Sequence, residues 1–419
     1  MNELTEQAVR EEVRTWLKEN WDPELSLMKW RSLLADSGWG APGWPKKWFG
    51  RDLPINLVQV VQEEIKNHGA VAVAQSGVRM LAAATLLEHG SDDQNEKYLR
   101  RILTGEDNWC QLFSEPGSGS DLAGLTTRAD RDGDRWKING QKVWTTSAHH
   151  AQYGLLLART DWDVSKHLGL SYFVIEIEQP GVEVRPLRQM NGHASFNEVF
   201  MTDASIPADM LVGTLNQGWQ VAMTTLAHER RSADGMRQMG SIARGKGSIF
   251  DELAAETETV MEPYKWYPQR AGRADLMVDR AKETNKFQDP VVRQEIAKAL
   301  ILNRASQWTA RRAREAQMLG RPQGPEGSLG KLAASHVARA AARVHTLISG
   351  ADAMLKGSDG PLDGIIAEIL LSVPAVSIAG GTDEIQRNII SERVLGLPKE
   401  PRTDTGRPFR DVPRNLAST

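Results

Sequence analysis

Residues 109–146 read WCQLFSEPGSGSDLAGLTTRADRDGDRWKINGQKVWTT, and this stretch decides the fold. Its first part is a loop rich in glycine and serine, Glu115–Asp121, which offers free backbone N–H groups and hydroxyls. Two short alternating runs follow, Arg135–Ile138 and Gln141–Thr146. Asn139-Gly140 lies between them, and because both positions of a tight turn need a positive φ, this pair predicts a β-hairpin. The stretch therefore predicts a polar loop that leads into a hairpin.

The hydrophobic period changes twice along the chain. An apolar stripe at helical spacing opens it, followed by helical patterns near residues 26–36, 55–68, 78–89 and 92–104. Short alternating runs separated by Gly, Pro and Asp replace them after residue 108, and helical spacing returns at Gly218. We predict an α+β protein with an N-terminal α-helical domain (1–108), a middle β-barrel or sandwich domain (109–216), a C-terminal four-helix-bundle domain (217–400) and an extended tail (401–419).

Two segments follow the pattern less well. Residues 231–289 have the least regular spacing, and we expect a solvent-exposed excursion there and no additional domain. The tail is rich in Pro and Arg, which predicts that it lies along a surface or a partner.

Composition bounds the class of protein. The 419 residues carry 51 Lys and Arg against 54 Asp and Glu, and the net charge of −3 gives no argument for binding nucleic acid or an anionic membrane. No apolar run reaches the ~18 residues of a membrane span. Cys110 is the single cysteine, interpreted as a small buried apolar side chain. We expect a cytoplasmic protein without a signal peptide, and no metal site because neither HxxxH nor HExxH occurs.

Three blocks together resemble the acyl-CoA dehydrogenase family. They are residues 109–146, GWQVAMTTLAHER at 218–230 and IAGGTDEIQRN at 378–388. A tryptophan-rich loop at 38–48 is also similar to the N-terminal domain of that family. The resemblance covers residues 5–400 and implies the family's fold, an FAD cofactor and α,β-dehydrogenation of an acyl-CoA thioester in a β-oxidation type of step.

The resemblance assigns the flavin site to residues of two blocks. Phe113 and Ser114 would touch the flavin ring, and Trp144 and Thr146 would close over its other side. Thr382, as the N-cap of a helix, would orient the C-terminal loop beside the flavin. This assignment agrees with the chemistry, since N–H groups and hydroxyls stabilise the negative charge that develops on a flavin as it is reduced.

A glutamate interrupts the apolar face of the predicted helix after Gly218. Ala222, Leu226 and Glu229 share that face, where desolvation would raise the pKa of the carboxyl toward that of a general base. Taken alone, the pattern more often marks a half-exposed glutamate paired with an arginine across a subunit contact.

The resemblance favours the catalytic interpretation. Many family members carry the catalytic glutamate just before a Gly-Thr pair, where this chain has Gly380. A minority carry it on the earlier helix just before an arginine, which corresponds to Glu229 ahead of Arg230. Glu229 is therefore predicted to be the base, and the Gly380 N–H to bind the thioester oxygen. Ser120 and Arg230 are predicted to bind the substrate, whereas Glu384 in a first helical turn is a poorer candidate for the base.

Two family segments that hold FAD across a subunit interface are missing. Residues 281–293 lack the Arg-x-x-Phe-Gly segment, and residues 346–352 are the only trace of Gln-x-x-Gly-Gly-x-Gly. Some bacterial members are heterotetramers of unlike chains that act on bulky acyl-CoAs such as steroid side chains. We expect a homo- or heterotetramer and interpret the chain as the base-bearing member of a heterotetramer with a paralogous subunit. An electron-transferring flavoprotein is expected as the acceptor. A homo-oligomer that holds FAD by other residues is the alternative.

Two other functions stay open at this point. The chain could be a non-catalytic subunit that completes a partner's flavin site, which Gly380 favours and Glu229 opposes. It could also keep the fold and use oxygen as the electron acceptor.

Overall fold

The structure, a computed structural model, describes residues 5–74, 77–236, 245–321, 326–399, 401 and 404–413. It contains two compact units. The first comprises Met1–Leu187, Ser195–Glu262 and Thr403–Thr419, and the second comprises Arg188–Ala194 and Pro263–Arg402. The domain bounds given above remain predictions, because these units group residues by contact and not by order in the chain.

Five helices form the N-terminal part of the first unit: α1 Glu6–Asn20, α2 Leu27–Asp36, α3 Ile55–Asn67, α4 Val78–His89 and α5 Asp92–Thr104. Side chains of Thr5, Ser26 and Ser91 accept hydrogen bonds from backbone N–H groups of the first turns of α1, α2 and α5. The helical patterns predicted from spacing are confirmed here, and α1, α2 and α5 begin at a capping side chain.

The strands are β1 Trp109–Leu112, β2 Arg128–Asp132, β3 Arg135–Thr146, β4 Tyr153–Arg159, β5 Leu170–Glu176, β6 Val182–Leu187, β7 Phe196–Pro207 and β8 Leu211–Val212. Within the described residues they form one eight-stranded sheet in the order β6-β7-β3-β2-β4-β5-β8, and β1 pairs with β4 in parallel. Buried apolar side chains of β4 and β5 lie on both faces of the sheet. At β4 and β5, both faces of the sheet are therefore covered by buried apolar side chains.

The hairpin predicted at Asn139-Gly140 is wrong. Strand β3 runs unbroken through these residues, and the turn lies between β2 and β3, where Gly133 has a φ of 59°. Asn139 exchanges hydrogen bonds of 3.0 and 2.9 Å with Asp203 beside a register shift between β3 and β7. Pairing on both sides of β3 has overridden the local turn preference, and Asn139-Gly140 lies opposite a β-bulge at Thr202-Asp203 of β7.

Gly140 is required opposite this bulge by a close backbone approach. A Cβ atom on Gly140 would lie 2.7 Å from the Thr127 Cα and 2.5 Å from its hydroxyl oxygen. Real Cβ contacts with backbone are not this short, so β2 and β3 come together here only because the side chain is a hydrogen atom.

Two helices follow the sheet in the first unit, α6 Gly218–Met236 and α7 Ser248–Met261. Ile249 and Leu253 of α7 join the core of the N-terminal helices. Glu256 of the same helix forms ion pairs of 2.6 Å with Arg31 and 3.3 Å with Arg79. The expectation of a solvent-exposed excursion over 231–289 is therefore wrong for α7.

The second unit is helical, with α8 Tyr267–Arg270, α9 Met277–Glu283, α10 Pro290–Met318, α11 Glu326–Ser349, α12 Ile365–Ser372 and α13 Asp383–Ile389. Val292, Ile296 and Ala299 of α10 pack against buried residues of α11. Together the two units confirm the α+β class. Among the described residues, no helix is both long and apolar enough to cross a membrane.

Substitution of Gly140 by alanine is expected to lower the free energy of unfolding by about 1–3 kcal/mol, since the added methyl overpacks the contact with Thr127. Gly330→Ala is the matched control, because a Cβ there meets nothing within 4 Å and α11 gains a better helix former. Urea denaturation followed by circular dichroism measures both. Equal stability of the two variants would contradict the proposed close approach.

Candidate active site

The glycine-serine loop closes on itself immediately after β1. Glu115 and Ser118 exchange backbone hydrogen bonds of 3.0 Å, so the chain turns tightly at Pro116-Gly117. Ser120 is exposed beyond this turn. Its hydroxyl is therefore accessible to a ligand, as the predicted contact with substrate requires.

A buried ion pair holds the base of this loop. The Lys142 ammonium, on the inner face of β3, donates to the Glu115 carboxylate at 2.9 Å and to the Phe113 carbonyl at 2.9 Å. The same carboxylate accepts the backbone N–H groups of Thr126 at 2.7 Å and Thr127 at 2.8 Å. Both charged side chains are almost completely buried.

Burial by itself raises the pKa of Glu115, because it disfavours the charged carboxylate. The charge of Lys142 and the hydrogen bonds from Thr127 and Thr126 outweigh burial and lower the pKa to about 2. The carboxylate is therefore charged at neutral pH, and it links the loop to β3 and to the start of β2.

Trp144 occupies a strained position on β3. Its φ is 62°, beside a register shift between Lys142 and Thr145 relative to β7. A positive φ is uncommon for a bulky residue and costs about 1–3 kcal/mol. The bulge leaves the indole 56% exposed, with one edge against Phe196 at 5.7 Å between ring centroids. The result is a flat aromatic surface that is held outward at an energetic cost.

The structure brings the predicted flavin residues of the first block together. The Val143 N–H donates to the Ser114 carbonyl at 2.9 Å, which joins the residue after Phe113 to the residue before Trp144. Phe113 is buried edge-on against Tyr172 at 5.8 Å, whereas Ser114 and Thr146 are half-buried. The polar edge and the aromatic surface of the candidate site therefore belong to one local structure.

The candidate base lies beside the strand that leads into this site. Glu229 on α6 accepts a hydrogen bond of 3.3 Å from the Gln111 side-chain amide on β1. Both residues are half-buried. Because Gln111 is two residues before Phe113, the carboxylate and the predicted ring contacts share one unit of the structure. The side chain of Arg230 lies outside the described residues.

Gly380 and Thr382 belong to the second unit. Gly380 has a φ of 68°, and its carbonyl accepts a hydrogen bond of 3.1 Å from Gln386. The Thr382 hydroxyl caps α13 by accepting the Ile385 N–H at 3.2 Å, as predicted from the sequence. Glu384 is exposed and lies 3.7 Å from Arg387, which agrees with its rejection as the base.

Three residues of the site were not predicted from sequence patterns: Gln111, Glu115 and Lys142. Lys142 carried a recognisable signal, since it lies an even number of residues after the buried Trp136 and so faces the same side of β3. An inward lysine on a strand requires a buried partner, and the only clue to Glu115 was its place in the loop. Gln111 had no local signal, because its partner is 118 residues away.

Comparison with known proteins shows the family of the chain. The N-terminal, middle and C-terminal domain descriptions of acyl-CoA dehydrogenase match residues 1–106, 110–204 and 270–395. Acyl-CoA dehydrogenase IpdE1 of Mycobacterium tuberculosis is 34% identical over 414 residues, which cover 93% of this chain and 97% of that protein. The chain belongs to the acyl-CoA dehydrogenase family.

Two solved structures share the fold. One titled "Tcur3481-Tcur3483 steroid ACAD" has a TM-score of 0.65 at 24% identity and covers 94% of this chain and 98% of its own. The ChsE4-ChsE5 complex from Mycobacterium tuberculosis has a TM-score of 0.63 at 23% identity. The match covers 96% of this chain and 100% of that chain.

The protein is accordingly a flavin-dependent oxidoreductase that acts on the CH–CH bond of an acyl-CoA. The alternative of a non-catalytic subunit is not favoured.

Replacing Glu115 by glutamine is expected to lower the free energy of unfolding by about 3–5 kcal/mol, because Lys142 is left buried without its counter-charge. The double variant Glu115→Gln/Lys142→Met is the control and should recover much of the loss. Urea denaturation and the flavin absorbance of the purified protein measure both. A single variant as stable as the double variant would contradict the role of the pair.

The same pair predicts a pH dependence of stability. The folded-state pKa of Glu115, about 2, lies below the ordinary value of 4.5. The contribution of the pair to the free energy of unfolding is therefore complete above pH 4.5, and it is lost as the pH falls toward 2. In the double variant this part of the acid destabilisation should disappear.

Proposed function

We propose that this chain binds FAD and removes the α and β hydrogens of an acyl-CoA thioester, with Glu229 as the base. The observation that carries the proposal is the 3.3 Å contact between Glu229 and Gln111. It ties the candidate carboxylate to β1, the strand that leads into Phe113 and Ser114. A carboxylate beside a flavin-binding edge is what this reaction requires, since the thioester α-carbon is a weak acid.

The residues present fit a flavin. A planar ring system can cover the exposed indole of Trp144, while the half-buried hydroxyls of Ser114 and Thr146 are available to its polar atoms. The strain at Trp144 supports a binding role, because such backbone conformations concentrate at ligand sites. FAD, when bound, supplies the acceptor for the hydride that leaves the β-carbon.

Glu229 takes the α-proton onto its carboxylate. The Gln111 amide donates to one carboxylate oxygen, which limits the rotation of the side chain. Half-burial on α6 reduces competition from water for the same carboxylate.

Other assignments remain predictions from the family resemblance. They are the Gly380 N–H as donor to the thioester oxygen, Thr382 beside the flavin, and Ser120 and Arg230 as substrate contacts. An electron-transferring flavoprotein as acceptor and a cytoplasmic location are predictions of the same kind.

A tetramer with a paralogous subunit is supported by α10. One face of this helix packs on α11, while Leu300, Ile301 and Trp308 on other faces are 42%, 68% and 66% exposed. Such a group of large apolar side chains marks a protein contact. The missing interface segments, together with neighbours whose titles name two-component complexes, favour an unlike partner that completes the FAD site.

The proposed substrate class is a bulky acyl-CoA, including steroid side chains. The support is the fold shared with a structure titled as a steroid enzyme. Flavin reduction by a panel of straight-chain, branched and steroid side-chain thioesters would show which acyl chain length and branching the enzyme prefers.

Glu229→Gln is expected to lower the rate of flavin reduction by about 10²–10⁴-fold, because the amide cannot accept the α-proton. Anaerobic bleaching of the flavin by a panel of acyl-CoA thioesters measures the rate, and bound flavin should be unchanged. Glu384→Gln, an exposed carboxyl on α13, is the control and should react like the wild type. Near-normal reduction in Glu229→Gln would overturn the assignment of the base.

Ile301→Asp/Trp308→Asp is expected to reduce the assembly to smaller species, because two charges replace the apolar side chains of the contact. Light scattering after co-expression with the paralogous subunit gives the mass, and absorbance gives the flavins per assembly. Met354→Asp, which is 78% exposed in the same unit, serves as control. An unchanged mass for the double variant would rule out α10 as the contact.

A further inference from the structure

The C-terminal segment 404–413, here called the strap, lies against the sheet of the first unit. It follows the last residue matched by the family's C-terminal domain, residue 395. Phe409 is 1% exposed, and its N–H donates to the Val164 carbonyl at 2.8 Å. The Arg410 N–H donates to the Trp162 carbonyl at 3.1 Å. The strap is thus anchored on the loop between β4 and β5, residues 160–169.

Arg159 joins the strap to the end of the glycine-serine loop. Its buried guanidinium donates to the carbonyls of Ala123 at 2.7 Å, Leu125 at 3.2 Å and Lys166 at 3.1 Å. The Phe409 ring covers this guanidinium at 3.4 Å from its centroid. The ring excludes water from these hydrogen bonds and adds a cation–π attraction.

Lys166 makes a second link between the same segments. Its ammonium contacts Asp121 at 2.9 Å and Asp404 at 2.6 Å, so one positive charge bridges the glycine-serine loop and the strap. Burial lowers the pKa of Lys166, but the hydrogen bonds that its ammonium donates to Asp404 and Asp121 outweigh burial and raise the pKa overall. Asp121 is adjacent to Ser120, the predicted contact with CoA.

The two ends of the glycine-serine loop therefore have different anchors. The Glu115–Lys142 pair holds the end next to Phe113 and the flavin residues. Arg159 and Lys166 hold the end at 121–125, and both also contact the strap.

We propose that the strap positions residues 120–125 for binding the CoA part of the substrate, with Arg159 and Lys166 as positioning residues. This inference rests on the proposed function, because it takes Ser120 as a substrate contact. It predicts an effect on acyl-CoA affinity that is separate from flavin binding and from proton abstraction.

The test uses the full chain with its partner subunit and compares Phe409→Ala and Lys166→Met with the wild type. Both variants should raise the KM for the best acyl-CoA of the panel about tenfold while kcat and flavin content change less than about twofold, as expected when uniform binding is lost. Phe409→Trp keeps a ring over Arg159 and should restore the KM. Arg410→Ala removes only an exposed ion pair with Asp163 and should leave the KM unchanged.

Hydrogen exchange of the amides at 117–125, measured without substrate, provides a second readout. Exchange should become faster in Phe409→Ala and Lys166→Met. Unchanged exchange or an unchanged KM would overturn the proposal, as would a loss of flavin in parallel with the KM. A failure of the proposed function has a different signature, either a wild type that does not reduce its flavin with any acyl-CoA or a fully active Glu229→Gln.

Discussion

The buried pair of Lys142 and Glu115 is the interaction on which the candidate site depends. A lysine inside a sheet is stable only with a counter-charge, and Glu115 of the loop that follows β1 provides this counter-charge. The pair therefore forces the loop against β3 and sets Phe113 and Ser114 beside the bulge. The geometry of the candidate flavin edge is a consequence of neutralising one buried ammonium.

The two functional parts of the candidate site lie on different elements, the bulge at Trp144 on β3 and the carboxylate of Glu229 on α6. The strand supplies a rigid, outward aromatic surface, and α6 supplies a half-buried carboxylate, restrained by Gln111. Because both elements pack in the same unit, the position of the base relative to the flavin edge does not depend on a flexible connection. Such separation of a binding surface from an acid–base group suits dehydrogenation, in which a proton and a hydride leave neighbouring carbons.

The glycine-serine loop is held at both ends by charges, but the two anchors differ in exposure. The pair at Glu115 is buried, whereas Asp121 is exposed and Lys166 is only partly so. The inner end is consequently the more rigid, and the outer end depends on Arg159 and on the ring of Phe409. A segment beyond the residues that match the family's C-terminal domain can in this way act on one part of a site without altering the other.

Much of the fold could be predicted from local pattern: the helices α1–α5, most strands and the candidate base followed from spacing, caps and three family blocks. The turn at Asn139-Gly140 could not, since two neighbouring strands outweigh a local preference. What the sequence by itself determined was the order of elements and the chemical types at the site. Only the tertiary structure decided that Gln111 meets Glu229 and that Phe409 covers Arg159. These contacts join residues 118 or more positions apart. They arise from packing and charge neutralisation in the folded chain, so they cannot be predicted from the spacing of neighbouring residues.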